Sequence, residues 1–322
     1  MENFIFALNA TIPIFLIIVF GFFLQKIQLL NDSFNKIANE YVFKCALPIS
    51  LFRSMAGMDF YSEFDWRFCL FCFWVTTAIF LGVWAAAWLL MKDKSQIGAF
   101  AQATARSNST ILGISLAVNI YGDAGMVPMM VMVCASLSNV YSVLILSFSP
   151  HVDSQGRLVS AAHGSSAVKA ACINVLKNPL IIGLILGVSF ALLPISVPTM
   201  LDSALQSIGA TATPLALLMV GASFSGKEAL TRWKGAVVST FIRLFLLPGI
   251  FLPLAVALGF RDSALVAIFI MVGAPTAVAS YVMAKGMHAD SVLTSNAILL
   301  STIVSSVSIT LWLYLLRSFQ LI

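Results

Sequence analysis

The chain has 322 residues, 60% hydrophobic and 10% charged, with a net charge of +5 and a mean hydropathy of +0.98. Soluble domains carry about a quarter charged residues, so the composition predicts an all-α integral membrane protein. The basic excess does not point to nucleic acid, because Lys and Arg sit mostly in short loops between apolar runs; the lipid bilayer is the expected partner.

Apolar runs of about 20 residues suit helices crossing a ~30 Å hydrocarbon core. They fall near 4–25, 35–54, 66–91, 97–121 and 125–148, then 174–193, 200–223, 234–259, 263–286 and 291–317. Open sheets cannot satisfy their backbone in lipid, so ten transmembrane helices are predicted. The first run lacks a basic flank and a small-residue cleavage site, and reads as a span instead of a removed signal. In the second, Lys44 follows Glu40 by one helical turn. It reads equally as a snorkelling structural pair or as a cation facing a solute. In the third, Cys69 and Cys72 form a CxxC inside FCLFCFWV without a second ligand pair, which reads as packing and not as a metal or redox site.

The fourth run holds Arg106, Ser107, Asn108, Ser109 and Thr110 in succession near mid-depth, then Gly113 and Ser115. Hydroxyl and amide side chains compete for backbone hydrogen bonds, so a helix break is expected there. The fifth carries Ser136, Ser138 and Asn139, expected to face Ser301, Thr302, Ser305 and Ser306 of the tenth; sodium coupling through these neutral oxygens stays open beside plain serine packing. A Ser/Gly/Ala-rich linker over 149–173 separates the halves. In the eighth run Arg243 has no acidic neighbour in sequence and is expected to tether backbone carbonyls. The ninth contains Gly273, Pro275, Thr276 and Ser280, and Pro275 removes a backbone donor, so this helix should bend or unwind. Unwound backbone at mid-membrane is tolerated where it is buried in protein or lines a cavity.

The two halves repeat. Pro13, Gly21 and Pro48 recur as Pro179, Gly187 and Pro214, and 179 − 13, 187 − 21 and 214 − 48 all give 166. With five spans per unit the second enters the bilayer upside down, an arrangement common in secondary transporters. Eleven Lys and Arg lie on one side of the runs, against Arg53, Arg67, Arg261 and Arg317 on the other. The positive-inside rule makes the first side cytoplasmic and puts both termini outside. Units 1–148 and 174–322 then flank a cytoplasmic linker at 149–173.

Enzyme motifs are missing: there is no nucleotide-binding glycine loop, zinc motif or nucleophile elbow, and GASFSG at Gly221 misses the G-x-S-x-G spacing. No cofactor is expected. Nor is an acid pair buried in a span, as proton-exchanging antiporters require. Two classes remain, a solute carrier and a non-transporting sensor or scaffold on a carrier fold.

SNSTILGISLA at Ser107–Ala117, followed by Tyr121-Gly122, resembles the plant auxin carrier pattern PNTLVMGIPLL…YG, with Asn108 and Gly113 matching and Ser115 in place of the crossover proline. APTAVASYVMAK at Ala274–Lys285 is similar to LPQGIVPFVFAK, with Pro275 matching and Ser280 replacing a second proline; KNP at Lys177 and IRLFLLP at Ile242 also fit. In order along the chain, these identify a member of the auxin efflux carrier family, on the bacterial, malate/malonate permease-like branch. The resemblance implies two inverted five-helix repeats with broken helices four and nine crossing. It implies a scaffold (1–55, 174–223), a moving transport part (64–148, 230–318), elevator-type carriage of a carboxylated organic anion across the cell membrane, and a homodimer. The candidate substrate residues are Arg106, Asn108, Ser109, Thr110, Ser115, Pro275, Thr276 and Ser280, with Lys44 and Asn139. Arg106 would hold a carboxylate by two parallel hydrogen bonds, or else reach toward the cytoplasmic interface.

Overall fold

The computed structural model describes residues 2–57, 65–109, 116–117, 120–121, 125–152, 158–159, 176–193, 197–222 and 226–322. In the first half, α1 spans Glu2–Lys26, and α2 (Asp32–Tyr41) runs through a π turn (Val42–Ala46) into α3 (Leu47–Ala56). Next come α4 (Trp66–Leu90), the short α5 (Ile97–Ala105) and α6 (Val127–Phe148). The second half has α7 (Pro179–Leu192), α8 (Thr199–Ala210) and α9 (Ala212–Ala222). It continues with α10 (Gly226–Phe241), a second π turn (Ile242–Leu246) and α11 (Leu247–Ala257). The last helices are α12 (Asp262–Gly273), α13 (Ala279–Gly286) and α14 (Ser291–Ser318). Among the described residues, the linker shows a feature that an all-helical reading does not foresee: a two-residue antiparallel pairing of His151–Val152 (β1) with Leu158–Val159 (β2).

Side-chain oxygens start the helices where the sequence supplies them. Asp65, Asn178 and Asp290 accept from the backbone N–H of Phe68, Leu180 and Leu293 at 3.0, 3.0 and 2.9 Å, satisfying donors with no helical partner. Among the described residues, five helical stretches are long and apolar enough to cross a membrane: Trp66–Leu90, Val127–Phe148, Thr199–Ala222 (α8 with α9), Arg232–Ala257 (most of α10 through α11) and Ser291–Ser318. The Phe15–Lys26 part of α1, together with α7 (Pro179–Leu192) and α12 (Asp262–Gly273), adds shorter apolar helical stretches. The molecule is thus a multi-pass helical membrane protein.

Two hydrophobic clusters organise the packing. One gathers buried residues of α4, α5, α6, α11, α12 and α14 around Phe68, Phe80, Ile97, Met130 and Phe269. The other joins α1, the first π turn, α7 and α9 to Tyr281, Val282 and Met283 of α13. The chain therefore passes from one cluster to the other at the 274–278 break between α12 and α13.

Within the second cluster, helices touch backbone to backbone. A Cβ on Gly21 of α1 would lie 2.3 Å from the Leu218 carbonyl oxygen of α9, and one on Gly187 of α7 would lie 2.6 Å from that of Phe52 in α3. These contacts are related by the sequence offset, since 187 − 21 and 218 − 52 both equal 166. Gly221 is tighter still, its Cβ position 1.9 Å from the Ile18 carbonyl oxygen. Small residues allow such approach, and close packing takes over from the hydrophobic effect in lipid.

At one end of the molecule Arg232 pairs with Asp93 (3.2 Å) and Asp290 (2.8 Å), tying the α4–α5 connection to α10 and the start of α14. Burial pushes the Asp93 carboxyl up, but hydrogen bonds from Ser95 and Gln96 and the Arg232 charge outweigh it and hold it below the usual carboxylate range. Its contribution to stability is present above the ordinary pKa near ~4 and is lost as pH falls through the lowered value.

Candidate functional site

The two broken helices meet where the sequence places them. α5 ends at Ala105 and α12 at Gly273, and the segments that follow pair as a one-residue antiparallel bridge between Ser107 and Thr276. Asn108 N–H donates to the Pro275 carbonyl at 2.8 Å and Ala277 N–H to that of Arg106 at 3.1 Å. The break in the ninth run follows from Pro275. That in the fourth begins at Arg106, within the polar tract. Gly113, Thr110 and Ser115, also named from the sequence, lie outside the described residues.

Each opened helix end leaves backbone groups without helical partners, and the surroundings supply them. Thr276 N–H donates to Ser301 Oγ (3.1 Å), Thr276 Oγ1 to the Ala103 carbonyl (2.9 Å), and Ser107 Oγ to that of Ile270 (3.2 Å). Arg243 does the most. Its Nε donates to the Ala274 carbonyl at 2.8 Å, and its two terminal nitrogens to those of Ala105 (3.1 Å) and Met271 (2.5 Å). One fully buried guanidinium thus clasps the ends of both broken helices. The π turn containing it turns this residue inward from a helix that is otherwise largely apolar. This is the tether expected from a buried arginine without an acidic neighbour.

Arg106 lies beside this clasp, 8% exposed. One terminal nitrogen donates to Asn139 Oδ1 of α6 at 2.7 Å and the other to Met283 Sδ of α13. Asn139 is fixed in turn by donating Nδ2–H to the Ala135 carbonyl at 2.7 Å. The arginine is therefore held inside the protein and does not extend to an interface. Among the described residues no carboxylate faces Arg106 or Arg243, so the crossing carries two buried positive charges paired only with neutral acceptors. A thioether is a weak acceptor, which leaves Arg106 the less satisfied of the two.

Other candidates fall into place around this arginine. Asn108, Ser109, Thr276 and Ser280 are all buried at the crossing. Among the described residues Ser280 Oγ has no partner, and neither does Gln102 Oε1, one turn before Arg106. Gln102 Nε2 reaches the same Met283 sulfur at 3.4 Å. Gln102 was legible as the i−4 neighbour of Arg106; Met283 carries no sequence signal. Lys44 stands elsewhere, on the first π turn, its ammonium 3.8 Å from Glu40 and its side chain 63% exposed. The serines proposed for sodium bond locally: Ser305 and Ser306 donate to carbonyls of α14 itself and Ser136 to that of Met132, while Ser301 serves Thr276.

The whole-chain comparisons agree with this picture. A transporter of Methanothermobacter thermautotrophicus, itself uncharacterized, is 23% identical over 309 residues, covering 94% of this chain and 96% of that protein. An uncharacterized transporter of Methanocaldococcus jannaschii is 20% identical over 318 residues (96% and 98%). The uncharacterized transporter YfdV of Escherichia coli K12 is 21% identical over 321 residues (97% and 98%). The family model described as "membrane transport protein" matches residues 6–313. With helices crossing at paired breaks and nearly the whole length matched, the chain belongs to the membrane transport protein family of auxin efflux carriers, a family of transporters and not of enzymes.

Proposed function

We propose that this protein is a secondary transporter for a small carboxylated organic anion, of the malate, malonate or auxin-like weak-acid kind, and that the anion binds at the crossing. The observation that carries the proposal is Arg106: a buried guanidinium on opened backbone, oriented by Asn139 and otherwise held by a thioether. A carboxylate is a far stronger acceptor than sulfur and can engage two N–H groups at once. It would take the place of Met283 on the arginine. Ser280 Oγ and Gln102 Oε1 supply an unused donor and acceptor for a second polar group of the solute.

In this reading the chain has ten spans in two inverted repeats, sits in the cell membrane with both termini outside, and works as an elevator. The repeat-related contacts of Gly21 with Leu218 and Gly187 with Phe52 support the inverted arrangement. The first hydrophobic cluster draws its buried residues from 64–148 and 230–318, which supports a separate transport part.

Uptake of radiolabelled malate or malonate into proteoliposomes tests the reading. Arg106→Ala is expected to weaken carboxylate affinity about tenfold to a hundredfold, the cost of a charge-assisted hydrogen bond. Lys44→Ala, which removes an exposed pair, is expected to change it less than twofold. Unaltered uptake by Arg106→Ala would sink the assignment. Carboxylate binding without flux would instead favour a sensor on a carrier fold.

A further inference from the structure

Beside the crossing, three sulfur-bearing side chains from three helices lie close together. Cys134 Sγ of α6 donates to Met271 Sδ of α12 at 3.0 Å, and Cys72 of α4 is buried in the same cluster, near enough to Cys134 to interact with it. Thr76 Oγ1, one turn after Cys72, donates to Cys134 Sγ at 3.3 Å and approaches Met271 Sδ at 3.7 Å. All four side chains are buried, and both cysteines are free thiols. Thr76, Cys134 and Met271 also form one wall of a cavity of about 10 Å³, room for a single water, whose remaining wall includes Ser107, Ser109 and Ser138. No group of three His, Cys, Asp or Glu side chains occurs among the described residues. The third donor here is a thioether.

We propose that Cys72, Cys134 and Met271 form a binding site for a soft monovalent cation, Cu(I) by preference. Two thiolates and a thioether are the ligand set that favours Cu(I) over hard or borderline divalent ions. Charge balance points the same way. Binding releases one proton from each thiol, giving a bis-thiolate Cu(I) centre of charge −1. Arg243 lies close enough to Cys134 to interact with it electrostatically, and its fixed positive charge makes the assembly neutral in a low-dielectric interior. A divalent ion would leave an uncompensated charge. Thr76 supplies the outer hydrogen bond that orients a ligating sulfur. The sulfurs must part to admit the ion, which the flexible Met271 side chain permits. Because Arg243 also holds the Met271 carbonyl, the loaded site would brace the joint between the broken helices.

The test is Cu(I) delivered anaerobically as its bicinchoninate complex to the purified, detergent-solubilised chain. A background with Cys45→Ser, Cys69→Ser and Cys172→Ser is expected to take up one Cu(I) per chain and release two protons. Within it Cys134→Ser and Met271→Leu are each expected to weaken binding tenfold or more, the second being close to isosteric and so a guard against simple misfolding. Failure of the background to bind Cu(I), or undiminished binding by both variants, would overturn the proposal.

Discussion

Arg243→Leu is expected to abolish the folded protein, or to leave a fraction that unfolds far below the parent in thermal melts followed by circular dichroism. The carbonyls of Ala105, Met271 and Ala274 would each lose a buried partner, at about 1–3 kcal/mol apiece. The sum approaches a large share of the ~5–15 kcal/mol that holds an ordinary domain folded. Arg243→Lys is expected to fall between the two, because one ammonium cannot reach three acceptors spread around a planar fork. Arg261 makes a useful contrast. It also donates to backbone carbonyls, the two of Val256 and Phe260, but from an exposed position. Arg261→Ala is therefore expected to cost within about 0.5 kcal/mol. Equal losses from the buried and exposed arginines would refute the clasp.

The second large effect is expected at Gly221. A methyl group there would sit 1.9 Å from the Ile18 carbonyl oxygen and 2.9 Å from the Phe22 backbone nitrogen. Neither can turn aside as a side chain could, so α1 and α9 must separate along their length. Gly221→Ala is expected to cost several kcal/mol, above the ~1–3 kcal/mol usual for an overpacked core. Gly82→Ala, in open space on α4, is expected to be neutral or slightly stabilising through helix propensity. Melting temperatures of the two variants side by side decide the matter; a Gly221→Ala protein that melts like the Gly82→Ala one would rule out the close crossing.

The helices were legible because lipid leaves little choice: each long apolar run must close its own hydrogen bonds. The break at Pro275 was legible for the same reason, a missing donor. The polar tract forecast the break in the fourth run, and Arg243's lack of an acid forecast its use of carbonyls. The π turns were not readable, since nothing in VFKCA or IRLFL marks a wider turn. Nor was Met283 as a partner of Arg106, because 177 residues separate them and methionine fills any apolar position. Asn139 could be named as a candidate from its polarity inside a span, but its bond to Arg106 is a product of folding. The short pairing of β1 with β2 was missed because a Ser/Gly/Ala-rich linker gives no alternating pattern to read.

Met283 belongs to the hydrophobic cluster built on α1, α7 and α9, yet its sulfur touches Arg106, which α5 carries from the other cluster. An occupant that takes Arg106 from Met283 therefore changes the free energy of the contact between α5 and α13. By thermodynamic linkage the converse holds in equal measure: a displacement of α13 against α5 alters how tightly Arg106 holds its occupant. Affinity and the relative position of the two broken helices are, at this one side chain, a single equilibrium.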